Sequence, residues 1–226
     1  MIEIKNLSYH IGGATILEAL SWKVEKGQHA LMLGASGSGK TTLLHLLAGL
    51  LTPSSGTIEI DSQNIAALSG AVLDSWRGRN IGMVFQTLHL VKALTVQDNL
   101  RLARNMAGLP ADDARITHLL DKLGLADKAE RYPHQLSVGQ AQRVAIARAL
   151  ANQPPVILAD EPTAPLDSER ALSVVRILND MAQQFRTAII VVTHDEKIIP
   201  TFKRVYHIRD GQTHEEKGLG AGKSEF

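Results

Sequence analysis

Residues 34–41 read Gly34-Ala35-Ser36-Gly37-Ser38-Gly39-Lys40-Thr41, a match to G-x-x-x-x-G-K-[ST]. A loop of this pattern wraps phosphates with successive backbone N–H groups. Its glycines let the chain curl to angles and approach distances that a Cβ forbids. Lys40 is placed to reach the β- and γ-phosphates of a nucleotide, and the Thr41 hydroxyl to ligate Mg²⁺. Before the loop, Ala30-Leu31-Met32-Leu33 is a short apolar run of the kind a buried parallel strand shows. After it, Thr42 to Leu51 reads as a helix whose positive dipole end faces the anion. Strand, glycine loop and helix follow one another in the order phosphate binding requires, and that order restricts the chain to an α/β design.

The rest of the pattern agrees. Ile2 to Ser8 and Leu17 to Val24 read as strands about a Gly12-Gly13 turn. Pro53-Ser54-Ser55-Gly56 is a turn, Thr57 to Ile60 resumes as a strand, and Asn80 to Phe85 is a further short strand. From Val96 to Leu150 the texture becomes helical, with leucines spaced among Arg, Asp, Asn and Lys. Pro154-Pro155 closes that block and Val156 to Ala159 is a continuous apolar strand. Ser168 to Gln184 is helical by period, with Leu172, Val175, Leu178 and Met181 on one face. Ala188 to Val192 is the next buried strand. Strands alternating with helices, plus one helical insertion, give an α/β domain with a largely parallel sheet. The stretch 213–226 is expected to fray.

Bulk properties narrow the partners. The 226 residues are 44% hydrophobic and 21% charged, the balance of a globular protein with a substantial core. A net charge of +1 gives no reason to expect nucleic acid. There is no cysteine, hence no disulfide, thiolate zinc site or thiol nucleophile. No apolar run approaches the ~18–20 residues of a membrane span, so any membrane role is expected to pass through a partner. The histidines other than His194 lack metal-ligand spacing and read as structural or surface groups.

Val156 to Ala159 ends in Asp160-Glu161. In a phosphate-loop protein a strand-end aspartate holds Mg²⁺, directly or through water, and Asp160 takes that role. Glu161 is placed either to polarise an attacking water or to form, with Asp160, a solvated acidic pair capping the next turn.

Leu136-Ser137-Val138-Gly139-Gln140 with Arg143 to Leu150 resembles the signature motif of ABC-type ATPases. The likeness extends through Asp160-Glu161-Pro162-Thr163, Leu166-Asp167 and Val192-Thr193-His194-Asp195, with Phe85-Gln86 at the glutamine loop and Tyr9 at the position of an adenine-stacking aromatic. It covers residues 2–212 in family order. It implies a P-loop NTPase (RecA-like) core at 1–92 and 155–212, an N-terminal antiparallel β subdomain, and an inserted α-helical signature subdomain at 93–154, all within one ABC ATPase domain.

The resemblance further implies that ATP and Mg²⁺ bind at Tyr9, residues 34–41, Thr42, Gln86, Ser137, Gly139, Gln140, Asp160, Asp167 and His194. Thr41, Gln86 and Asp160 are the metal ligands; Lys40, Gln86, Glu161 and His194 are the catalytic set. Tyr9 otherwise reads as strand-edge packing. Two chains pair head to tail, the signature of one closing over the γ-phosphate on the other, and the dimer drives a separate transmembrane permease from the cytoplasmic face of the membrane. The compact length resembles the lipoprotein-release, macrolide-export and cell-division branch. An importer ATPase, and a switch regulating a membrane partner without transport, are the alternatives. Two departures stand out: Val138 replaces the first glycine of the signature, where a β-branched side chain is expected to stiffen the turn and crowd the nucleotide. Ala164-Pro165 replaces the usual Ser-Ala, and the proline removes an N–H.

Overall fold

In a computed structural model, residues 1–164 and 166–217 are described. Ten strands and six α-helices succeed one another: β1 (Ile2–Ile11), β2 (Ala14–Val24), β3 (His29–Leu33), α1 (Lys40–Leu47), β4 (Ser55–Ile60), β5 (Gln63–Asn64), α2 (Gly70–Asn80), β6 (Ile81–Val84), α3 (Val96–Met106), α4 (Asp113–Lys122), α5 (Val138–Leu150), β7 (Val156–Asp160), α6 (Ser168–Phe185), β8 (Ala188–Thr193), β9 (Arg204–Arg209) and β10 (Gln212–Lys217). They form two sheets. The first, in order β2-β1-β4-β5, is antiparallel throughout. The second, β10-β9-β3-β8-β7-β6, is parallel from β9 to β6 and carries β10 antiparallel on one edge.

The period-2 pleat of the parallel sheet divides the core in two. Ala30, Met32, Val156, Leu158, Ile190 and Val192 face α1 and the antiparallel sheet, packing with Leu43, Leu47, Ile58 and Ile60. Leu31, Leu33, Ile157, Ala159, Ile189 and Val191 face the opposite side, against Leu100, Leu119, Ile146 and Leu178 of the other helices. With both faces covered, the central strands read as unbroken apolar runs rather than alternating ones.

The helical block owes its ends to side chains. Thr95 accepts the Asp98 N–H at 3.2 Å and Asp112 accepts that of Arg115 at 3.0 Å, capping α3 and α4. At the far end of α5, Arg104 and Arg115 donate to the Ala151 carbonyl at 2.8 and 3.0 Å, and Arg115 also to that of Leu150 at 2.8 Å. Those carbonyls have no partner within the helix, so two guanidinium groups fix the terminus from the neighbouring helices.

The structure departs from two expectations and adds elements that the sequence pattern does not show. The phosphate-loop helix spans 40–47 rather than 42–51, starting as soon as Gly39 turns the chain. Helix α2 was not expected because it buries no residue completely and so shows no apolar stripe. Strand β9 was also missed, since Arg204 and Arg209 bracket it and a histidine interrupts its apolar residues. Residues 213–217 are not a frayed tail but part of edge strand β10, each paired with β9; its charged composition is what an exposed edge tolerates. The rest of that tail, 218–226, and Pro165 lie outside the described residues.

Candidate functional site

Strand register gathers the site at one edge of the parallel sheet. Leu33 lies beside both Thr193 and His207, and Asp160 beside Val192, so the chain leaves β3, β7, β8 and β9 at nearly the same level. Ligands of open α/β sheets bind outside these carboxyl ends.

The loop from β3 to α1 is shaped by its glycines. Gly39 has φ 95°, ends the loop in the left-handed region and caps α1. A Cβ on Gly39 would stand 2.8 Å from Leu17 Cδ2, and one on Gly34 would stand 2.8 Å from the Ile208 carbonyl oxygen. Lys40 is only 7% exposed, and its ammonium donates to the carbonyls of Gly34 at 2.7 Å and Ala35 at 2.8 Å. The Ser38 hydroxyl is buried inside the loop with no hydrogen-bond partner among the described residues.

Thr41 donates to Asp160 Oδ1 at 3.4 Å, joining the loop to the end of β7 across 119 positions of sequence. Burial pushes the Asp160 carboxyl above its usual range; the Thr41 hydrogen bond opposes this and the charge of Glu161 reinforces it. Glu161 follows with φ 45°, a conformation that costs a non-glycine residue roughly 1–3 kcal/mol and is kept only where the surroundings impose it. Here its N–H donates to the Val192 carbonyl at 2.9 Å. Its carboxylate lies between two donors: the Thr193 hydroxyl reaches Oε2 at 2.6 Å, and His194 Nδ1 is 2.8 Å from Oε1. A carboxylate only accepts, so Nδ1 carries the proton and Nε2 of a neutral ring is left as an acceptor.

These groups line one cavity of about 640 Å³, bounded by Ala35 to Gly37, Gly39 to Thr42, Gln86, Asp160, Glu161 and His194. A second, of about 750 Å³, shares Ile16, Ala35, Ser36, Gly37 and His194 with it and continues over the β9–β10 turn at Arg209, Asp210 and Gly211. The expected phosphate-loop residues, Gln86, Asp160, Glu161 and His194 are therefore brought together.

Tyr9, Ser137, Gly139, Gln140 and Asp167 line neither cavity. Tyr9 pairs with Leu17 across the β1–β2 ladder and packs, half-buried, against the core. Ser137 caps α5: its hydroxyl accepts the Gln140 N–H at 3.3 Å while Gln140 Oε1 accepts the Ser137 N–H at 2.9 Å. Val138 is the first residue of that helix and 55% exposed, so the valine neither strains the turn nor crowds its own chain. Asp167 is exposed at the start of α6, where its carbonyl accepts the Ala171 N–H at 2.8 Å.

Sequence reasoning missed Ile16, Thr193 and Gln142. Ile16 enters through the β1–β2 hairpin, whose docking no local pattern reports. Gln142, buried in α5, donates to the Pro162 carbonyl at 2.7 Å and ties the signature helix to the loop after Glu161.

The donor set suits the groups expected. Thr41 and Asp160 offer two hard oxygens beside the loop, as Mg²⁺ requires when it keeps water and phosphate oxygens for its other positions. Among the described residues no three His, Cys, Asp or Glu side chains form a cage that would hold a metal alone. The glycine cradle and the buried Ser38 hydroxyl suit a phosphate chain.

Residues 17–164 match the model of the ABC transporter family. The chain is 40% identical over 215 residues to the lipoprotein-releasing system ATP-binding protein LolD of Idiomarina loihiensis, covering 93% of this chain and 94% of that protein. It is 39% identical over 217 residues to the putative hemin import ATP-binding protein HrtA of Staphylococcus haemolyticus, covering 93% and 98%. Among solved structures, a dimeric ATP-binding cassette in a post-hydrolysis state with ADP and phosphate superposes with a TM-score of 0.84 at 34% identity, over 97% of this chain and all of that one.

Proposed function

This chain belongs to the ABC transporter family of ATP-binding subunits, and on that premise we propose that it drives a separate transmembrane permease by pairing two copies around ATP and parting them after hydrolysis. The supporting observation is a divided site. Phosphate loop, Asp160, Glu161 and His194 share one cavity, whereas Ser137 and Gly139 stand at the accessible start of α5 and line none of it. A second copy turned head to tail supplies the missing helix terminus, whose free N–H groups and positive dipole end meet the γ-phosphate.

Each group then has a task. The loop amides and Lys40 hold the phosphates, and closure over them strengthens every contact by excluding water. Mg²⁺, when bound at Thr41, Asp160 and Gln86, neutralises developing charge on the phosphate oxygens. Glu161 takes the proton of the attacking water, and His194 contacts the γ-phosphate and steadies that water. Tyr9 stacks on adenine, and Asp167 acts across the interface.

Force leaves the site through the loop after Gln86. Arg148, in α5, donates to the carbonyls of His89 at 2.6 Å and Leu88 at 2.9 Å, so that loop and the signature helix move together. Beside it lies a groove of about 590 Å³ lined by Leu50, Phe85, Met106 and Arg148, with Met106 80% exposed; the permease docks there. Among the described residues no helix is long and apolar enough to cross a membrane, so that docking holds the protein at the cytoplasmic face.

The load resembles that of the lipoprotein-release and macrolide-export branch. The similarity to a hemin-import protein supports an importer as the second reading. Mild-detergent isolation followed by ATPase assay tests both. Co-isolation of a membrane subunit that stimulates turnover supports the proposal; stimulation by ribosomes or DNA instead would overturn it.

A further inference from the structure

We propose that Thr193 is the positioning residue for the Glu161 carboxylate, a role that rests on the reading of Glu161 as the base that accepts the water proton. Thr193 is the last residue of β8 and fully buried, so its hydroxyl sits in a fixed frame rather than on a mobile loop. Its hydrogen bonds are directional. The backbone N–H of Asp195 donates to Thr193 Oγ1 at 3.0 Å, an arrangement in which the threonine oxygen can only accept. The hydroxyl proton is thereby left for Glu161 Oε2, 2.6 Å away. The Asp195 amide is itself held, because Asp195 Oδ1 accepts the Lys197 N–H at 3.0 Å and caps the 3₁₀ turn Glu196–Thr201.

A carboxylate on two rotatable methylenes has many orientations, and the positive φ at Glu161 does not choose among them. One bond to Oε2 from a buried hydroxyl removes most of that freedom. It occupies one oxygen and leaves the other, Oε1, toward the cavity and His194. His194 cannot supply the same restraint, since its side chain is 66% exposed and its proposed task takes it to the γ-phosphate. The hydroxyl is therefore the restraint that persists when His194 turns to the nucleotide. Its contribution belongs to the geometry of the reacting state, where displacement of a base by about 1 Å can cost up to a hundredfold in rate.

Thr193→Val keeps the shape and removes the hydroxyl; Thr193→Ser keeps the hydroxyl and removes the methyl. ATPase turnover and the KM for ATP of the two variants are compared with wild type, with thermal melting as the check on folding. The expected result is a kcat about tenfold or more lower in Thr193→Val with KM within about twofold, and recovery to within about threefold of wild type in Thr193→Ser. Normal kcat in the valine variant would overturn the assignment, as would a serine variant as slow as valine. Should valine fail to fold, Thr193→Ala replaces it as the variant without a hydroxyl, and the serine arm is read unchanged. Glu161→Gln is assayed alongside. If it hydrolyses ATP normally, the reading of Glu161 as base has failed; if it is inactive while Thr193→Val is normal, only the positioning role has.

Discussion

Replacing Glu161 by glutamine separates binding from hydrolysis. The carboxylate accepts one hydrogen bond on each oxygen, from Thr193 at 2.6 Å and from His194 at 2.8 Å. A glutamine side chain of the same shape offers one oxygen and one NH₂. Thr193 already accepts from the Asp195 amide and has a proton to donate, so the orientation that uses it places the amide oxygen on Thr193 and turns the NH₂ toward His194. His194 then adopts the other tautomer and accepts. Both contacts survive as neutral hydrogen bonds, roughly half as strong as charged ones, so the cost to the fold is on the order of 1 kcal/mol. What disappears is the acceptor for the water proton, and general-base removal slows a reaction by about 10²- to 10⁴-fold. ATP affinity is unchanged, because the phosphate loop and Lys40 are untouched. Glu161→Gln with saturating Mg-ATP should elute from gel filtration as a dimer and return to monomer when nucleotide is removed. Hydrolysis above about a tenth of the wild-type rate, or elution as monomer with ATP fully bound, would refute the reasoning.

Lys40→Ala removes a buried ammonium that now donates to the Gly34 and Ala35 carbonyls and is proposed to hold the phosphates; charged hydrogen bonds worth about 1.5–3 kcal/mol predict a roughly 10- to 100-fold weaker binding of a fluorescent ATP analogue, and unchanged affinity would contradict the loop assignment. Val138→Gly should cost no more than about 1 kcal/mol of stability and leave turnover equal or faster, since the valine is 55% exposed in the first turn of α5, the helix end proposed to close on a second copy; a tenfold slower enzyme would show that the valine is needed. His29, at the start of β3, has its imidazole pushed below the usual histidine range by burial, with the charge of Lys203 adding to the effect. The folded state thus favours the neutral ring, and the stability this confers is present above about pH 6.5 and lost as pH falls toward the lower folded value. Melting scans from pH 7.5 to about 5 should show a smaller loss for His29→Gln than for wild type, and equal losses would contradict the assignment.

Phosphate loop and strand-end carboxylates were legible because each is a local pattern whose chemistry fixes its neighbours, and the signature because it resembles a family motif. Central strands were legible for a different reason: buried on both faces, β3, β7 and β8 carry unbroken apolar runs. What escaped depended on register or on tertiary support. Strand β10 is polar at every position, and only its pairing with β9 reveals it as a strand. Helix α2 rests on the rest of the fold, with Arg77 donating to the Gly49 carbonyl at 3.3 Å, rather than on an apolar stripe of its own. Thr193 stands in the sequence only as a member of the Val192-Thr193-His194-Asp195 run; its register beside Leu33 and its contact with Glu161 come from the fold. At Val138 the missing glycine leaves no mark on the chain's own fold, because the helix begins there with the side chain 55% exposed.

Mixing two variants tests the divided site most directly. Lys40→Ala spoils the phosphate loop and leaves the signature intact. Gly139→Asp does the reverse: a Cβ at that position meets nothing within 4 Å, so folding should be preserved, while in the proposed dimer the new carboxylate would repel the partner's phosphates. Each variant alone should be inactive. In an equimolar mixture half the dimers are mixed, each with one sound site of two, so about a quarter of the wild-type ATPase rate should return. A mixture as inactive as its components, or a Gly139→Asp chain that hydrolyses ATP normally by itself, would contradict a site completed by a second copy.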